Sequence, residues 1–123
     1  MRDEMLFVPQ NVSKISPTQR TLKVLREQEN AIAQVVERWN SFAKIRVDLF
    51  GFIDIFAIRG GELVGIQVTS GSNHGARVAK IRNNPYAVPF CLAGGIIEVR
   101  SWSKRGKRGE RKKWVERVEK ITI

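Results

Sequence analysis

Residues 50–70, FGFIDIFAIRGGELVGIQVTS, predict two apolar strands joined by a tight turn at Gly60-Gly61. Glycine supplies the positive φ angles that a two-residue hairpin turn requires. Two polar residues interrupt these segments, Asp54 in the first strand and Gln67 in the second. Because a buried, unpaired carboxylate is costly, the sequence leaves two interpretations: an edge strand with one face in water, or a metal site.

The residues before this hairpin predict one helix and one further strand. Ser16 is a suitable N-cap and Pro17 fits the first turn, so a helix is expected to begin there. Residues 31–40, AIAQVVERWN, fit either a strand or a continuation of that helix as far as residue 43. We favour the strand, because valine and tryptophan are common in strands and Glu29-Asn30 is able to turn the chain.

The residues after the hairpin predict a second helix and three strands. The helix is expected over residues 72–82, with Val78 and Ile81 facing the core, and Asn83-Asn84-Pro85 stops it. The strands are expected at 88–94 (VPFCLAG), 95–102 (GIIEVRSW) and 113–123 (KWVERVEKITI). The complete order is helix, three strands, helix and strand, then a basic hairpin, which predicts an α/β fold with a mixed sheet flanked by helices.

Composition restricts the classes of function. The 123 residues suit one domain over 1–123, and 22 Lys and Arg against 12 Asp and Glu give a formal net charge of +10. This excess predicts a polyanionic partner, most simply nucleic acid, with an acidic membrane surface as the alternative. The single cysteine, Cys91, excludes an internal disulfide or a cysteine-based zinc site, and the single histidine, His74, excludes a site needing two imidazoles.

Two further expectations concern the N-terminal residues and the cell compartment. Residues 1–15 show no clear period and are expected to form a partly extended leader. The N-terminus has no apolar signal region and no run reaches about 18 apolar residues, so we expect an intracellular, cytoplasmic protein with no membrane partner.

A strongly basic loop is predicted between the last two strands. The segment KRGKRGERKK, residues 104–113, carries seven basic residues and one acid, and two glycines within it predict mobility. Lysine and arginine in such a loop bind phosphates without reading bases. We expect nucleic-acid contacts from these residues: Lys104, Arg105, Lys107, Arg108, Arg111, Lys112 and Lys113. Trp102 and Trp114 border the loop and are expected either to stack on unpaired bases or to pack on the sheet.

The hairpin carries the predicted metal site. Gln67 and Thr69 are two residues apart on a strand and therefore share a face. Pairing across the glycine turn brings Asp54 toward that face. Carboxylate and carbonyl oxygens are the ligands that Mg²⁺ prefers, so Asp54, the Gln67 side chain and the Val68 carbonyl are expected to hold one ion.

The arrangement of Asp54, twelve residues, then Gln67-Val68-Thr69, after one helix and before another, resembles the PD-(D/E)XK nuclease superfamily. Within it, the likeness is greatest to small Holliday-junction-resolvase and VRR-NUC domains of phages and prokaryotes. The likeness covers about residues 16–93, and RVDLFGFIDIFAI followed by GIQVTSGSN is its specific part. It implies a restriction-endonuclease-like αβββαβ core over 16–93, followed by a C-terminal β-hairpin with the basic loop over 94–123.

The resemblance also implies an activity: metal-dependent hydrolysis of DNA phosphodiesters, selective for structure rather than sequence. Mg²⁺ or Mn²⁺, weakly bound, would activate a water molecule and polarise the phosphate. Asp54 and Gln67 would be the main ligands. Asp48 and Glu37 are further candidate carboxylates, although Asp48 also fits a turn residue or an ion partner of Arg46. Branched DNA and a homodimer are the partners that resolvase-like members imply.

The sequence departs from the family motif at two positions. Gln67 stands where the family has an acid, and Thr69 stands where it has the lysine that assists catalysis. In some members this lysine has moved to the following helix, where Lys80 is the candidate here, with Arg77 one turn earlier. His74 fits either a helix-start residue or a general base. The two rival interpretations are a catalytically silent relative that binds DNA, and a basic assembly or interaction protein.

Overall fold

The computed structural model describes residues 15–123, so the predicted leader lies outside it except for Ile15. The helices are α1 (Pro17–Glu27), α2 (His74–Arg82) and α3 (Ala87–Leu92), and a 3-10 turn, Gly71–Asn73, precedes α2. The strands are β1 (Ile32–Val35), β2 (Arg38–Asn40), β3 (Ile45–Val47), β4 (Ile55–Arg59), β5 (Glu62–Ser70), β6 (Ile96–Arg105) and β7 (Lys113–Ile121). The α/β class with a mixed sheet flanked by helices is confirmed.

A five-stranded sheet with the order β1-β4-β5-β6-β7 forms the centre of the structure. The pairing of β5 with β6 is parallel, and the other three pairings are antiparallel. The parallel connection between β5 and β6 runs through α2 and α3, as a crossover between parallel strands requires. A separate two-stranded sheet, the β2–β3 hairpin, stands between β1 and β4 in the chain.

The start of α1 and the turn between β4 and β5 form as their residues predict. Ser16 caps α1, because its side-chain oxygen accepts a hydrogen bond of 3.1 Å from the Gln19 N–H. Gly60 and Gly61 have φ angles of +56° and +81°, the left-handed conformation that a tight hairpin turn needs. Residues 31–40 are extended, so the helical alternative is wrong, although two short strands replace the single one expected.

Two predicted strand segments are wrong. Residues 88–94 were expected as a buried strand, but residues 87–92 form α3, and the strand parallel to β5 is β6, outside the predicted core 16–93. A short apolar run fits a strand and a buried helix equally, and Pro89 is tolerated because it lies in the first turn of α3. Residues 50–54 are not part of β4, since Phe50 and Gly51 adopt positive φ angles and turn the chain.

The two faces of the central sheet are covered by different helices. We call them the α1 face and the α2 face. On the α1 face, Leu22, Val24 and Leu25 pack on apolar residues of β4 and β5 and on Trp102. On the α2 face, the buried cluster comprises Phe52, Ile53, Val78, Ile81, Ala87, Ile97, Val99 and Ile121. The predicted inward positions of Val78 and Ile81 are confirmed, and Cys91 packs at the margin of this cluster.

A buried ion-pair network, which sequence patterning did not predict, lies on the α1 face. The Arg100 guanidinium donates to both oxygens of Glu29 at 2.7 and 2.8 Å and to Glu98 at 2.9 Å. Arg59 joins the same two glutamates at 2.8 Å. Burial alone lowers the pKa of Arg100, but hydrogen bonds and charges from the surrounding glutamates outweigh it, so its pKa is raised. The network ties the chain before β1 to the middle of β6.

Candidate metal and nucleic-acid site

The central residue of the candidate site is Asp54, which is buried on the α2 face with 3% of its surface exposed. Its backbone bonds to both neighbouring strands: the Asp54 N–H donates to Ile66 O, and Val36 N–H donates to Asp54 O, each at 2.8 Å. One side-chain oxygen, Oδ2, accepts from Val68 N–H at 2.7 Å. The carboxyl group is therefore held in one orientation by the sheet itself.

Two further carboxylates converge on Asp54. Glu37 directly precedes β2 and Asp48 directly follows β3, so the base of the β2–β3 hairpin brings both to the same place. One oxygen from each of Glu37, Asp48 and Asp54 lies within 4.8 Å of the other two. We call these three residues with Gln67 the acidic cluster.

Gln67 completes the cluster from β5. Its Nε2 donates to Asp54 Oδ2 at 2.9 Å and to Asp48 Oδ2 at 3.4 Å. The predicted convergence of the Asp54 and Gln67 side chains is thus confirmed. Gln67 is 2% exposed, and its Oε1 is buried without a hydrogen-bond partner among residues 15–123. A buried, unpaired oxygen next to carboxylates is a costly arrangement that ligand binding can relieve.

The charge of the cluster depends on a shared proton. Burial, then the hydrogen bond and negative charge of Asp48, raises the pKa of Asp54 from 3.8 to about 8. The hydrogen bonds that Asp54 accepts from Val68 and Gln67 act in the opposite direction and are outweighed. At neutral pH Asp54 therefore keeps a proton that it shares in a hydrogen bond with Asp48, and a divalent cation can replace this proton.

The donor set suits a hard divalent cation. Three carboxylates and an amide oxygen match the oxygen ligands of Mg²⁺ and Mn²⁺ and offer no thiolate or imidazole. The terminal torsion of Gln67 places either its NH₂ or its Oε1 toward the carboxylates, and the oxygen is the group that binds a cation. The residues present therefore fit the expected ion.

The residues considered in place of the motif lysine do not join the acidic cluster. Thr69 is buried on the same face as Gln67, in register with Ser101. Lys80 is exposed on α2 and makes no hydrogen bond or ion pair within residues 15–123, and Arg77 is partly exposed without such a contact there. Instead, Arg46 of β3 lies 3.6 Å from Glu37. Sequence analysis considered Arg46 only as a partner of Asp48.

His74 belongs to a separate polar network on the α2 face. The imidazole is buried, with Nδ1 2.7 Å from Ser101 Oγ and Nε2 2.9 Å from Glu119 Oε1. A carboxylate only accepts hydrogen bonds, so Nε2 carries a proton toward Glu119, and in the neutral ring Nδ1 accepts from Ser101. His74 therefore positions residues of β6 and β7. Sequence analysis missed Ser101 and Glu119, because their partner is distant in the chain.

The basic loop and its tryptophans occupy different environments. The loop residues Lys104 to Lys113 are exposed, and Gly109, with φ +84°, turns the chain between β6 and β7. Trp102 is 3% exposed and donates through Nε1 to Thr21 Oγ1 at 2.9 Å, so it packs on the sheet and does not offer a stacking surface. Trp114 is partly buried, with the Arg20 guanidinium 4.4 Å from its ring centre.

The β2–β3 hairpin carries exposed aromatic side chains beside the acidic cluster. Phe42, at its tip, is 99% exposed, and Trp39 is more than half exposed. The tip is ordered by Asn40, whose Oδ1 accepts from the Phe42 and Ala43 N–H groups at 3.0 and 3.1 Å. Trp39 pairs across the strands with Arg46. Residues 38–47 contain three basic residues and no acid, a local signal that the sequence already held.

Comparison of the chain with known protein families, with curated proteins and with solved structures found no match. Within the part of the chain that the structure describes, no helix is long and apolar enough to cross a membrane. A functional assignment for this chain therefore depends on the geometry of the acidic cluster and its surroundings.

Proposed function

We propose that this protein is a divalent-metal-dependent DNA endonuclease of the PD-(D/E)XK type. One observation carries the proposal: the carboxylates of Glu37, Asp48 and Asp54 lie within 4.8 Å of one another beside the buried Oε1 of Gln67, which has no hydrogen-bond partner among the described residues. An acidic cluster on a protein with a net charge of +10 is a site for a cation rather than for the polyanion itself. The cation would link the cluster to a phosphate.

The order of elements supports the same assignment. Along the chain, the elements of the central sheet and its helices follow the order α1, β1, β4, β5, α2, β6, if the β2–β3 hairpin and α3 are regarded as insertions. This order agrees with the αβββαβ core that the resemblance implies. Asp54 directly precedes the second of these strands and Gln67 lies within the third, which is close to where the resemblance implies the metal ligands.

The residues of the cluster have separate tasks in the proposed site. Asp54, Asp48 and Glu37 would hold Mg²⁺ or Mn²⁺ together with the Gln67 oxygen. When bound, the ion supplies an activated water molecule and a positive charge beside the phosphate. Val68 N–H and the sheet fix Asp54, whose carboxyl group would be deprotonated when it holds the ion.

Arg46 is the residue proposed to replace the missing motif lysine. It contacts Glu37 at 3.6 Å, yet its side chain is two-thirds exposed and free to reach a bound phosphate. A cation at this position offsets negative charge that develops on the phosphate during hydrolysis. Arg38 lies on the opposite face of the same hairpin, because its partner Val47 is next to Arg46 in the strand.

The hairpin also supports selectivity for DNA structure. Exposed aromatic rings stack on unpaired bases without regard to sequence, and neighbouring cations bind the backbone. Trp39, Phe42 and Arg46 combine both features beside the acidic cluster. Branched or single-stranded DNA is therefore the proposed substrate, with a homodimer as the proposed arrangement on branched DNA.

A second candidate function is DNA binding without catalysis. It is favoured by Thr69, which replaces the motif lysine by a neutral hydroxyl, and by the exposed Lys80, which has no contact with the cluster in the described part of the chain. In that case the basic surface would bind DNA and the acidic cluster would have only a structural role.

Cleavage of matched DNA substrates separates the two functions. Branched, single-stranded and duplex DNA are incubated with Mg²⁺ or Mn²⁺ and with wild type, Asp54→Asn, Arg46→Gln, and the controls Glu62→Gln and Arg38→Gln. The nuclease proposal expects cleavage that Asp54→Asn abolishes, that Arg46→Gln reduces by on the order of 100-fold, and that both controls retain. Binding without cleavage by wild type would favour the silent relative, and equal cleavage by Asp54→Asn would contradict the metal site.

A further inference from the structure

A second polar cavity lies on the α2 face, at the carboxyl ends of β5 and β6. It has a volume of about 260 Å³ and is lined by Gly71, Ser101, Ser103, Arg105, Val115 and Arg117. We call it the Arg105–Arg117 pocket. Two guanidinium groups and two hydroxyl groups line it, and within its lining there is no acidic side chain.

The register of the strands places this pocket beside the acidic cluster. Gln67 is in register with Val99, and Ser101 and Ser103 follow Val99 on the same face of β6. The lining residues Ser101, Ser103 and Arg105 therefore lie roughly 7, 13 and 20 Å along the strands from the level of Gln67, on the β6–β7 side of β5. Arg105 pairs with Lys113, so the far end of the pocket is the base of the basic loop. The pocket thus lies between the acidic cluster and that loop.

The polar network around His74 positions the lining residues. Ser101 is held by His74 at 2.7 Å, and Glu119 holds His74 at 2.9 Å and Arg117 at 3.3 Å. The Ser101 hydroxyl is engaged with His74 Nδ1, so Ser103 and the two guanidinium groups remain as donors toward the cavity. The backbone at Gly71 lies so close to β6 that a Cβ atom at this position would collide with Ser103 Oγ.

We infer that the Arg105–Arg117 pocket binds a second backbone phosphate of the DNA whose scissile phosphate lies at the acidic cluster. This inference rests on the proposed function and adds a defined contact to it. Planar guanidinium groups bind phosphate oxygens through paired, charge-assisted hydrogen bonds. A second phosphate contact, fixed by the sheet, sets the register of the DNA backbone relative to the metal ligands.

Two double variants with the same loss of charge test this inference. Arg105→Gln/Arg117→Gln changes the pocket. The control, Arg82→Gln/Lys120→Gln, removes two positive charges outside the pocket, one at the end of α2 and one on the opposite face of β7. All four residues are exposed, so both variants should fold, as circular dichroism will check. DNA affinity is measured by fluorescence anisotropy in Ca²⁺, with methylphosphonates replacing each backbone phosphate in turn.

The pocket variant should bind DNA on the order of tenfold more weakly than the control variant. Neutralising one particular phosphate should weaken binding by wild type and by the control, but have no further effect in the pocket variant. The inference would be overturned if the two double variants lost equal DNA affinity, or if no single phosphate mattered less to the pocket variant than to wild type. Neither result would affect cleavage by wild type, so the proposed function would stand. Wild type that binds no DNA would overturn both.

Discussion

The Asp54→Asn substitution removes one ionisable group from the acidic cluster with little change in size. The asparagine oxygen can accept from Val68 N–H and Gln67 Nε2, which Asp54 Oδ2 does now at 2.7 and 2.9 Å. Its NH₂ group can donate to Asp48, as the protonated carboxyl does. The variant therefore mimics wild type with Asp54 protonated at every pH. The stabilities of the two proteins should diverge only over the pH range in which Asp54 ionises.

The difference should appear as a pH dependence of the free energy of unfolding. The pKa of Asp54 is raised from 3.8 to about 8 by burial and by Asp48. Between these pH values the unfolded chain has lost this proton and the folded protein has kept it. Each unit of rise in pH therefore lowers the free energy of unfolding by about 1.4 kcal/mol. From about pH 5 to pH 8 the stability of wild type should fall by on the order of 4 kcal/mol relative to the variant.

Urea unfolding in EDTA at several pH values measures this difference. Glu62→Gln, which removes an exposed acid at the β4–β5 turn, serves as the control and should follow wild type. Mg²⁺ at the upper end of the range should restore stability to wild type and not to Asp54→Asn, because the ion replaces the proton. A constant stability difference between Asp54→Asn and wild type across this range would refute the shared proton and the reasoning built on it.

Three further substitutions have defined outcomes. Arg100→Met removes the central cation of the buried network and leaves Glu29 and Glu98 to share Arg59, so it should lower the unfolding free energy by about 3–5 kcal/mol in urea titrations, whereas Arg82→Met at the exposed end of α2 should change it by less than about 0.5 kcal/mol. Gly71→Ala should lower the free energy of unfolding by about 1–3 kcal/mol, because the added Cβ atom collides with Ser103 Oγ. The double variant Gly71→Ala/Ser103→Ala should recover most of this loss in thermal unfolding. Phe42→Ala should leave stability unchanged, because the ring is fully exposed, and reduce affinity for single-stranded DNA by roughly 5- to 100-fold in anisotropy titrations.

Local sequence signals predicted the elements that depend on local chemistry. Ser16-Pro17 and Gly60-Gly61 fix backbone angles and caps by themselves, so α1 and the β4–β5 turn were predictable. The convergence of Asp54 and Gln67 followed from strand alternation once that turn was known. The run at 88–94 carries no period, and only packing against the α2 face decides that its first five residues belong to a helix.

Features built from distant segments were not predictable. Glu98 and Arg100 alternate with apolar residues, a pattern that predicts a solvated strand face, yet Glu29, about 70 residues earlier, buries them in an ion-pair network. In the same way, Arg46 reaches Glu37 only because the hairpin folds back on itself. Long-range pairing of charges has no signature in a single sequence.

The central claim is that the acidic cluster binds one divalent cation. Crystals grown above the pKa of Asp54 and soaked in Mn²⁺ test it by anomalous diffraction. We expect one anomalous peak between Glu37, Asp48, Asp54 and Gln67, at about 2.0–2.3 Å from their oxygens, and no such peak in Asp54→Asn. Wild-type crystals at millimolar Mn²⁺ with no peak at the cluster would contradict the claim.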